Sequence, residues 1–317
     1  IGYLYFMNTE GRTKLLSFTC HALTLSHRNA PVTSCIRNSL RDGTFLQIQN
    51  VRLDQMAWLF CTNGNVINFP LSSIDAIYED EADFIFENMS IFLGLRTNWR
   101  EPSHYVASSC PFSKTKGLEK GHVLLMNEHG QAHSIPVSSL PMEVGESSRL
   151  DTSLLNKKKP ARWSILIYPD CDLFVASSDN QVLRLNTSDL IDKKSKAIES
   201  ILKLGEESKI VGVATLPSDR LLTRLLIVTE GGYGHIVSAN EFNYGKIGDK
   251  GVQGIKTSKK NGCLIGIAGI PEFGHFILGT RRGRILRIAL HEVPLSKRNS
   301  SGVNLMKLEE GDSVVSV

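Results

Sequence analysis

Side chains that could do chemistry fall into two groups in this chain. His129 and His133 stand four residues apart with Glu128 before the first, a set that could ligate a metal. The order is not His-Glu-x-x-His, and the residues straddle the turn-like Gly130 instead of sharing a helix face. Ser, His and Asp are plentiful, yet no Gly-x-Ser-x-Gly elbow, Gly-x-x-x-x-Gly-Lys-Ser/Thr loop or dinucleotide fingerprint arranges them. The acidic pairs Glu309–Glu310 and Glu79–Asp80–Glu81 sit in polar stretches and read as surface. The sequence therefore offers no cofactor, metal or small-molecule substrate site and reads as non-catalytic.

The second group is basic. Residues 243–262 read NYGKIGDKGVQGIKTSKKNG, with five lysines and five glycines. Between Lys246 and Arg298 lie Lys246, Lys250, Lys256, Lys259, Lys260, Arg281, Arg282, Arg284, Arg287, Lys297 and Arg298, against Asp249, Glu272 and Glu292. That segment carries +8 in a chain of net charge +4, so the rest carries −4. Cations beside glycines are suited to phosphate: neutralising a duplex backbone releases condensed counterions, and glycines let backbone N–H groups come close. The same lysines would also serve as a solvated rim that keeps strand edges unpaired. Arg284 and Arg287, three apart on a strand, should face opposite sides.

Two further runs, Lys157–Lys158–Lys159 with Arg162, and Lys193, Lys194 and Lys196, read as solvated connectors that a ring of repeats would bring to the same perimeter. Aromatic residues are sparse at 7%. Tyr233, Phe242 and Tyr244 lie near the basic stretch and are assigned to the core. Single-strand binding needs stacking platforms, so the expected partner is double-stranded DNA, without base-specific readout.

The elements that must position these residues repeat. Six apolar strands each meet a polar turn and a second strand, beginning at Leu4, Trp58, Val123, Leu173, Leu225 and Phe276. The turn residues are Gly11, Gly64, Gly130, Asn180, Gly232 and Gly283, separated by 53, 66, 50, 52 and 51 residues. Five glycines and one asparagine are the residues that best tolerate positive φ, so each unit predicts a β-hairpin. Further apolar runs start at Lys209, Cys263 and Ser313, giving about four strands per repeat. Residues 193–204 are the best candidate for a helix. Six repeats of four strands predict one all-β, propeller-like domain over residues 1–317.

Bulk properties agree with a globular chain. It has 317 residues, of which 41% are hydrophobic and 21% charged. No run approaches the ~18 apolar residues of a membrane span, and the first residues do not read as a signal-peptide pattern. The chain opens at Ile1 without a methionine and reads as a fragment or processed product. Cys20, Cys35, Cys61, Cys110, Cys171 and Cys263 are dispersed and read as reduced thiols in a reducing compartment.

Residues 221–317 carry a resemblance. The run from Arg224 through EGGYGHIVSANEF and GDKGVQGIKTSKKNG resembles one blade of the C-terminal domain of bacterial type IIA topoisomerase A subunits, those of gyrase and topoisomerase IV. RRGRILRIALHEVPLSKRNSSGVNLMKLEEGDSVVSV, Arg281 to Val317, resembles the next blade, most specifically from Arg298 to Val314. The fold implied is a six-bladed β-pinwheel, a propeller relative whose blades exchange strands. The implied role is to bind and bend duplex DNA for strand passage, beside the ATPase B subunit and the rest of the A subunit, in a bacterial cytoplasm or a bacterial-derived organelle. Cleavage belongs to a different domain of that family. One departure stands out: the family's gyrases carry Q-R-R-G-G-K-G in their first blade, where this chain reads TCHALTLSHRNAPVTSC. The nearest relic is KIGDKG, Lys246 to Gly251. The competing expectation is a propeller that docks proteins through the acidic cluster from Asp75 to Glu87.

Overall fold

A computed structural model describes residues 2–8, 13–18, 45–51, most of 54–71, 76–77 and 106–317, apart from 145, 156–160, 170, 192–196, 218–223 and 283. Gly11, Gly283, the stretch 19–35, Lys157 to Lys159, Lys193 to Lys196 and most of the acidic cluster lie outside the described residues.

Strands dominate. The first are β1 (Gly2–Asn8), β2 (Thr13–Phe18), β3 (Phe45–Val51), β4 (Met56–Cys61), β5 (Asn65–Pro70), β6 (Ala76–Ile77) and β7 (Val106–Phe112). There follow β8 (His122–Met126), β9 (Ala132–Pro136), β10 (Ser147–Arg149), β11 (Trp163–Ile167), β12 (Cys171–Ser177), β13 (Gln181–Asn186) and β14 (Ile210–Pro217). The last are β15 (Arg224–Thr229), β16 (Tyr233–Ser238), β17 (Val252–Gln253), β18 (Leu264–Ile270), β19 (His275–Thr280), β20 (Ile285–Ala289), β21 (Val303–Asn304) and β22 (Val314–Ser316).

All six expected hairpins form: β1–β2, β4–β5, β8–β9, β12–β13, β15–β16 and β19–β20. At the described turns the chain does take positive φ, at Gly64 (89°), Gly130 (81°), Asn180 (71°) and Gly232 (76°). The three further apolar runs are β14, β18 and β22.

The strands make six small sheets, ordered β3-β1-β2-β6, β10-β5-β4-β7, β11-β8-β9, β14-β12-β13-β17, β18-β15-β16-β21 and β20-β19-β22. The order within each is not the order along the chain. β17 follows the β15–β16 hairpin, yet it pairs back onto β13, Gln181 opposite Gln253. β21 likewise pairs back onto β16, β10 onto β5 and β6 onto β2. Ile198 bridges back to Ala132 beside β9. Each of these segments completes the sheet of the repeat before it, which is the strand exchange of a pinwheel.

The core explains why the central strands are continuously apolar. Leu173 and Val175 of β12 pack with Leu124 and Met126 of β8, whereas Phe174 and Ala176 pack with Leu225 and Ile227 of β15. Leu226 and Val228 of β15 turn the other way, toward Leu278 and Leu286. Successive side chains point to opposite faces, so a strand buried on both faces must be apolar at every position. Each such Leu, Ile or Val contributes about 1.5–3 kcal/mol by leaving water.

The helix expected within residues 193–204 is not observed in its described part, 197–204. Ile198, Ile201 and Leu202 have the i, i+3, i+4 spacing of a helix face but are buried outside any helix. Ile198 and Ala132 exchange backbone bonds of 2.7 and 2.9 Å, and the Ile201 N–H donates to the Gly130 carbonyl at 2.8 Å. Pairing with the preceding sheet wins over the local pattern. A single helical turn occupies Ser188–Ile191 instead.

Candidate nucleic-acid interface

In each four-stranded sheet the strand donated by the next repeat is outermost, with β3, β7, β14 or β18 at the opposite edge, and β11 and β22 are edge strands of the two three-stranded sheets. β14 lies beside β18, and β18 beside β22, around a cavity of about 610 Å³. The loops flanking β17 and β21 are therefore farthest from that cavity. They hold most of the lysines singled out in the sequence.

Backbone bonds stitch these loops together from one repeat to the next. The Lys203 N–H donates to the Asp249 carbonyl at 3.0 Å, and the Gly248 N–H donates to the Ile201 carbonyl at 3.0 Å. One repeat later the Lys256 N–H donates to the Ser300 carbonyl at 2.9 Å, while Arg298 Nη1 donates to the Gln253 carbonyl at 3.1 Å. The first seam places Lys203 beside the loop of Lys246 and Lys250. The second places Lys256 beside the loop of Lys297 and Arg298.

Lys203, Lys246, Lys250, Lys256, Lys259, Lys297 and Lys307 are exposed and make no ion pair with a described residue. Lys260 lies over the Tyr233 ring, 5.5 Å from its centroid. A side-chain hydrogen bond with Asn304, and then the Lys260 ammonium, lower the Tyr233 pKa.

Lys203 and Lys307 were not among the candidates read from the sequence. They occupy the position of Lys256 in the neighbouring repeats, each following the residues bonded to the hairpin turn: Ile201 on Gly130, Gly254 on Asn180, Leu305 on Gly232. They stand 53 and 51 residues from Lys256, within three residues of the 50 and 52 that separate the corresponding turns. Aligning the repeats outward from their turns would have found them.

The arginines lie elsewhere. Arg281 lines the cavity with Arg162, Lys209 and Glu230, and Glu128 takes an ion pair from both Arg162 (3.2 Å) and Lys209 (3.8 Å). Arg282 and Arg284 both pair with Glu309, Arg282 at 3.6 Å, so one carboxylate offsets part of their joint charge where it stands. Arg287 Nη2 lies 3.2 Å from His275 Nδ1. Arg284 precedes β20 and pairs with Glu309, so the two arginines have different partners. The structure brings together the lysines with Arg298 and leaves Arg281, Arg282, Arg284 and Arg287 apart from them.

The aromatic assignment needs correction. Phe242 is core, edge-on to Phe174 at 5.9 Å. Tyr244 is instead 54% exposed and Tyr233 only half-buried. Tyr244 donates its O–H to the Asp172 carboxylate at 2.6 Å and lies beneath the Arg184 guanidinium, 4.2 Å from the ring centroid. Each ring finds a cation and a polar partner at the surface, which suits a tyrosine better than full burial. The hydrogen bond to Asp172, then burial, raise the Tyr244 pKa.

A surface of repeated, unpaired ammonium groups held at fixed spacing by backbone bonds can bind a polyanion whose charges also repeat. Among the described residues no group of three His, Cys, Asp or Glu could hold a metal, and no helix is long and apolar enough to cross a membrane.

The family model described as DNA gyrase C-terminal domain, beta-propeller, matches residues 172–217, 223–268 and 274–317. Each matched stretch begins at or beside the first strand of a hairpin and ends in or just past an inner strand. The A subunit of DNA gyrase from Mycolicibacterium smegmatis is 26% identical over 157 residues, 49% of this chain and 18% of that protein. The A subunit of DNA gyrase from Rickettsia felis is 28% identical over 207 residues, 63% of this chain and 22% of that protein. The chain therefore spans about a fifth of the length of these relatives. A solved DNA gyrase A C-terminal domain superposes with a TM-score of 0.74 at 18% identity, covering 100% of this chain and 99% of that one. A topoisomerase IV C-terminal domain does so with a TM-score of 0.62 at 14% identity, covering 100% and 92%. These two likenesses establish the fold.

Proposed function

We propose that this chain, whose repeats from residue 172 onward belong to the DNA gyrase C-terminal domain family, binds and bends duplex DNA without regard to sequence. It presents DNA for strand passage as a non-catalytic module of a type IIA topoisomerase A subunit. The six sheets are the blades of a ring that closes where β22 lies beside β3. The carrying observation is the pair of seams that set Lys203 against Lys246 and Lys250, and Lys256 against Lys297 and Arg298, at one position of successive repeats.

Bending a site of 20–30 base pairs costs about 1–6 kcal/mol, which phosphate contacts spread over several blades can offset. The box motif of the wrapping gyrases is missing from the sequence, so the wrapping is partial and falls short of strong negative supercoiling. The implied partners are duplex DNA, the rest of the A subunit, and the ATPase B subunit reached through it. The implied setting is a bacterial cytoplasm or a bacterial-derived organelle.

The test is affinity for duplexes of about 20 and about 130 base pairs across a salt series. Six to eight phosphate contacts predict a slope of log K against log salt of about −5 to −7, with preference for the long duplex. Equal, weak binding to both lengths would leave a basic patch without bending. No binding at low salt would overturn the reading and leave a propeller that docks proteins.

A further inference from the structure

We infer that Asn261 is a positioning residue for the phosphate-binding surface, the group that makes the lysine loop 256–260 and the loop 297–301 of the next repeat act as one. The inference rests on the duplex-binding reading above. Asn261 carries no charge and would touch no phosphate, for it is 2% exposed. Its amide nevertheless uses every bond it has on the two loops. Nδ2 donates to the Lys256 carbonyl at 2.9 Å and to the Ser301 carbonyl at 3.2 Å. Oδ1 accepts from the Ser258 N–H at 2.6 Å and from the Ser258 hydroxyl at 3.1 Å.

The main chain of the same residue fixes a third element. The Asn261 carbonyl accepts from the Gly231 N–H at 3.0 Å, in the β15–β16 turn. A Cβ on Gly231 would come within 2.7 Å of that oxygen, so the contact requires glycine. One residue therefore joins a hairpin turn, the loop of Lys256, Lys259 and Lys260, and the loop of Lys297 and Arg298. A buried amide is favourable only when all its donors and acceptors are satisfied, so it tolerates one arrangement of the loops and resists others. Phosphates are spaced regularly along a duplex, and cations engage several at once only if their own spacing is held.

The test compares the intact chain with Asn261→Ala and Asn261→Asp in duplex-binding titrations over a salt series, at a temperature where circular dichroism shows each variant folded. Asp is the near-isosteric second variant: it keeps the oxygen that accepts from the Ser258 N–H but cannot donate to the Lys256 and Ser301 carbonyls, so the bonds that join the loops are lost. Asn261→Ala should weaken binding about threefold to tenfold and flatten the salt slope by about 1 to 2, although no charge has been removed. A general loss of stability would not change that slope in folded protein. A folded variant with an unchanged slope overturns the inference and leaves duplex binding intact. Failure of the unmodified chain to bind duplex overturns both.

Discussion

Nη2 of Arg184 lies 2.6 Å from the carboxylate of Asp172, with the two side chains 11% and 0% exposed. Nη1 of the same guanidinium donates to the carbonyls of Ala239 and Phe242 at 3.2 and 3.1 Å. The pair thus fastens the β12–β13 sheet to the segment that leads into the basic loop of the following repeat. Breaking a buried pair leaves the other charge uncompensated, at a cost of about 3–5 kcal/mol. Asp172→Ala should lower the unfolding free energy by that amount in urea titration. A loss below about 1 kcal/mol would mean that the carbonyls alone hold Arg184.

Cations that look alike in the sequence should behave differently on DNA. Lys203→Ala, Lys256→Ala and Lys307→Ala should each reduce the salt slope of duplex binding by about 1. Arg282→Ala and Arg284→Ala should change it less, because the two share the Glu309 carboxylate, whereas the three lysines pair with no described acid. A larger effect from the arginines would place the duplex on the hairpin turns instead of the donated loops.

Asn180 takes the positive φ that glycine takes at the other described turns. It adds two side-chain bonds to the backbone of Ile255, donating to its carbonyl and accepting from its N–H at 3.1 Å. Asn180→Gly should cost about 1–2 kcal/mol for the lost bonds. Asn180→Ala should cost about 2–4 kcal/mol, since Ala keeps the Cβ in the left-handed region, which Gly sheds, and lacks the amide bonds that hold Asn there. Equal losses from the two substitutions would show that strain contributes nothing there.

His235 in β16 is fully buried, and burial pushes its pKa from 6.5 down to about 4, partly opposed by a backbone group of Gly254. Below pH 6.5 the unfolded chain takes up a proton that the folded chain refuses until pH about 4. Stability should therefore be constant above that window and fall as pH drops through it, by about 3 kcal/mol in all. Urea midpoints between pH 4 and 7 check this. His235→Leu should flatten the profile, and a wild-type profile as flat as the variant's would refute the assignment.

The hairpins were legible because a turn at positive φ selects Gly or Asn, and that choice recurs at Gly64, Gly130, Asn180 and Gly232. The donated strands were not. Val252 and Gln253 stand alone inside a glycine-rich polar run, and their partners Val182 and Gln181 belong to the hairpin of the preceding repeat, so no local periodicity marks them. The same non-local pairing made Ile198, Ile201 and Leu202 look helical. Lys203 and Lys307 were hidden for a different reason: acids follow each closely, Glu206–Glu207 and Glu309–Glu310, which cancels the local charge that drew attention to Lys256. Tyr244 was misjudged because its cation and its acid, Arg184 and Asp172, belong to the preceding repeat.

Strand donation also bears on how such a chain can grow. The stretch that recurs in the sequence is not the unit that folds, because each stretch gives its outermost strand to the sheet before it. Inheritance and folding are offset by one strand. A duplicated copy spliced in after any repeat receives a strand from its successor and gives one to its predecessor, so no new junction has to be invented. Excising a single sheet as it is folded would instead take residues from two separate places in the gene. The number of sheets in this architecture is free to change by whole copies and resists change by any other increment.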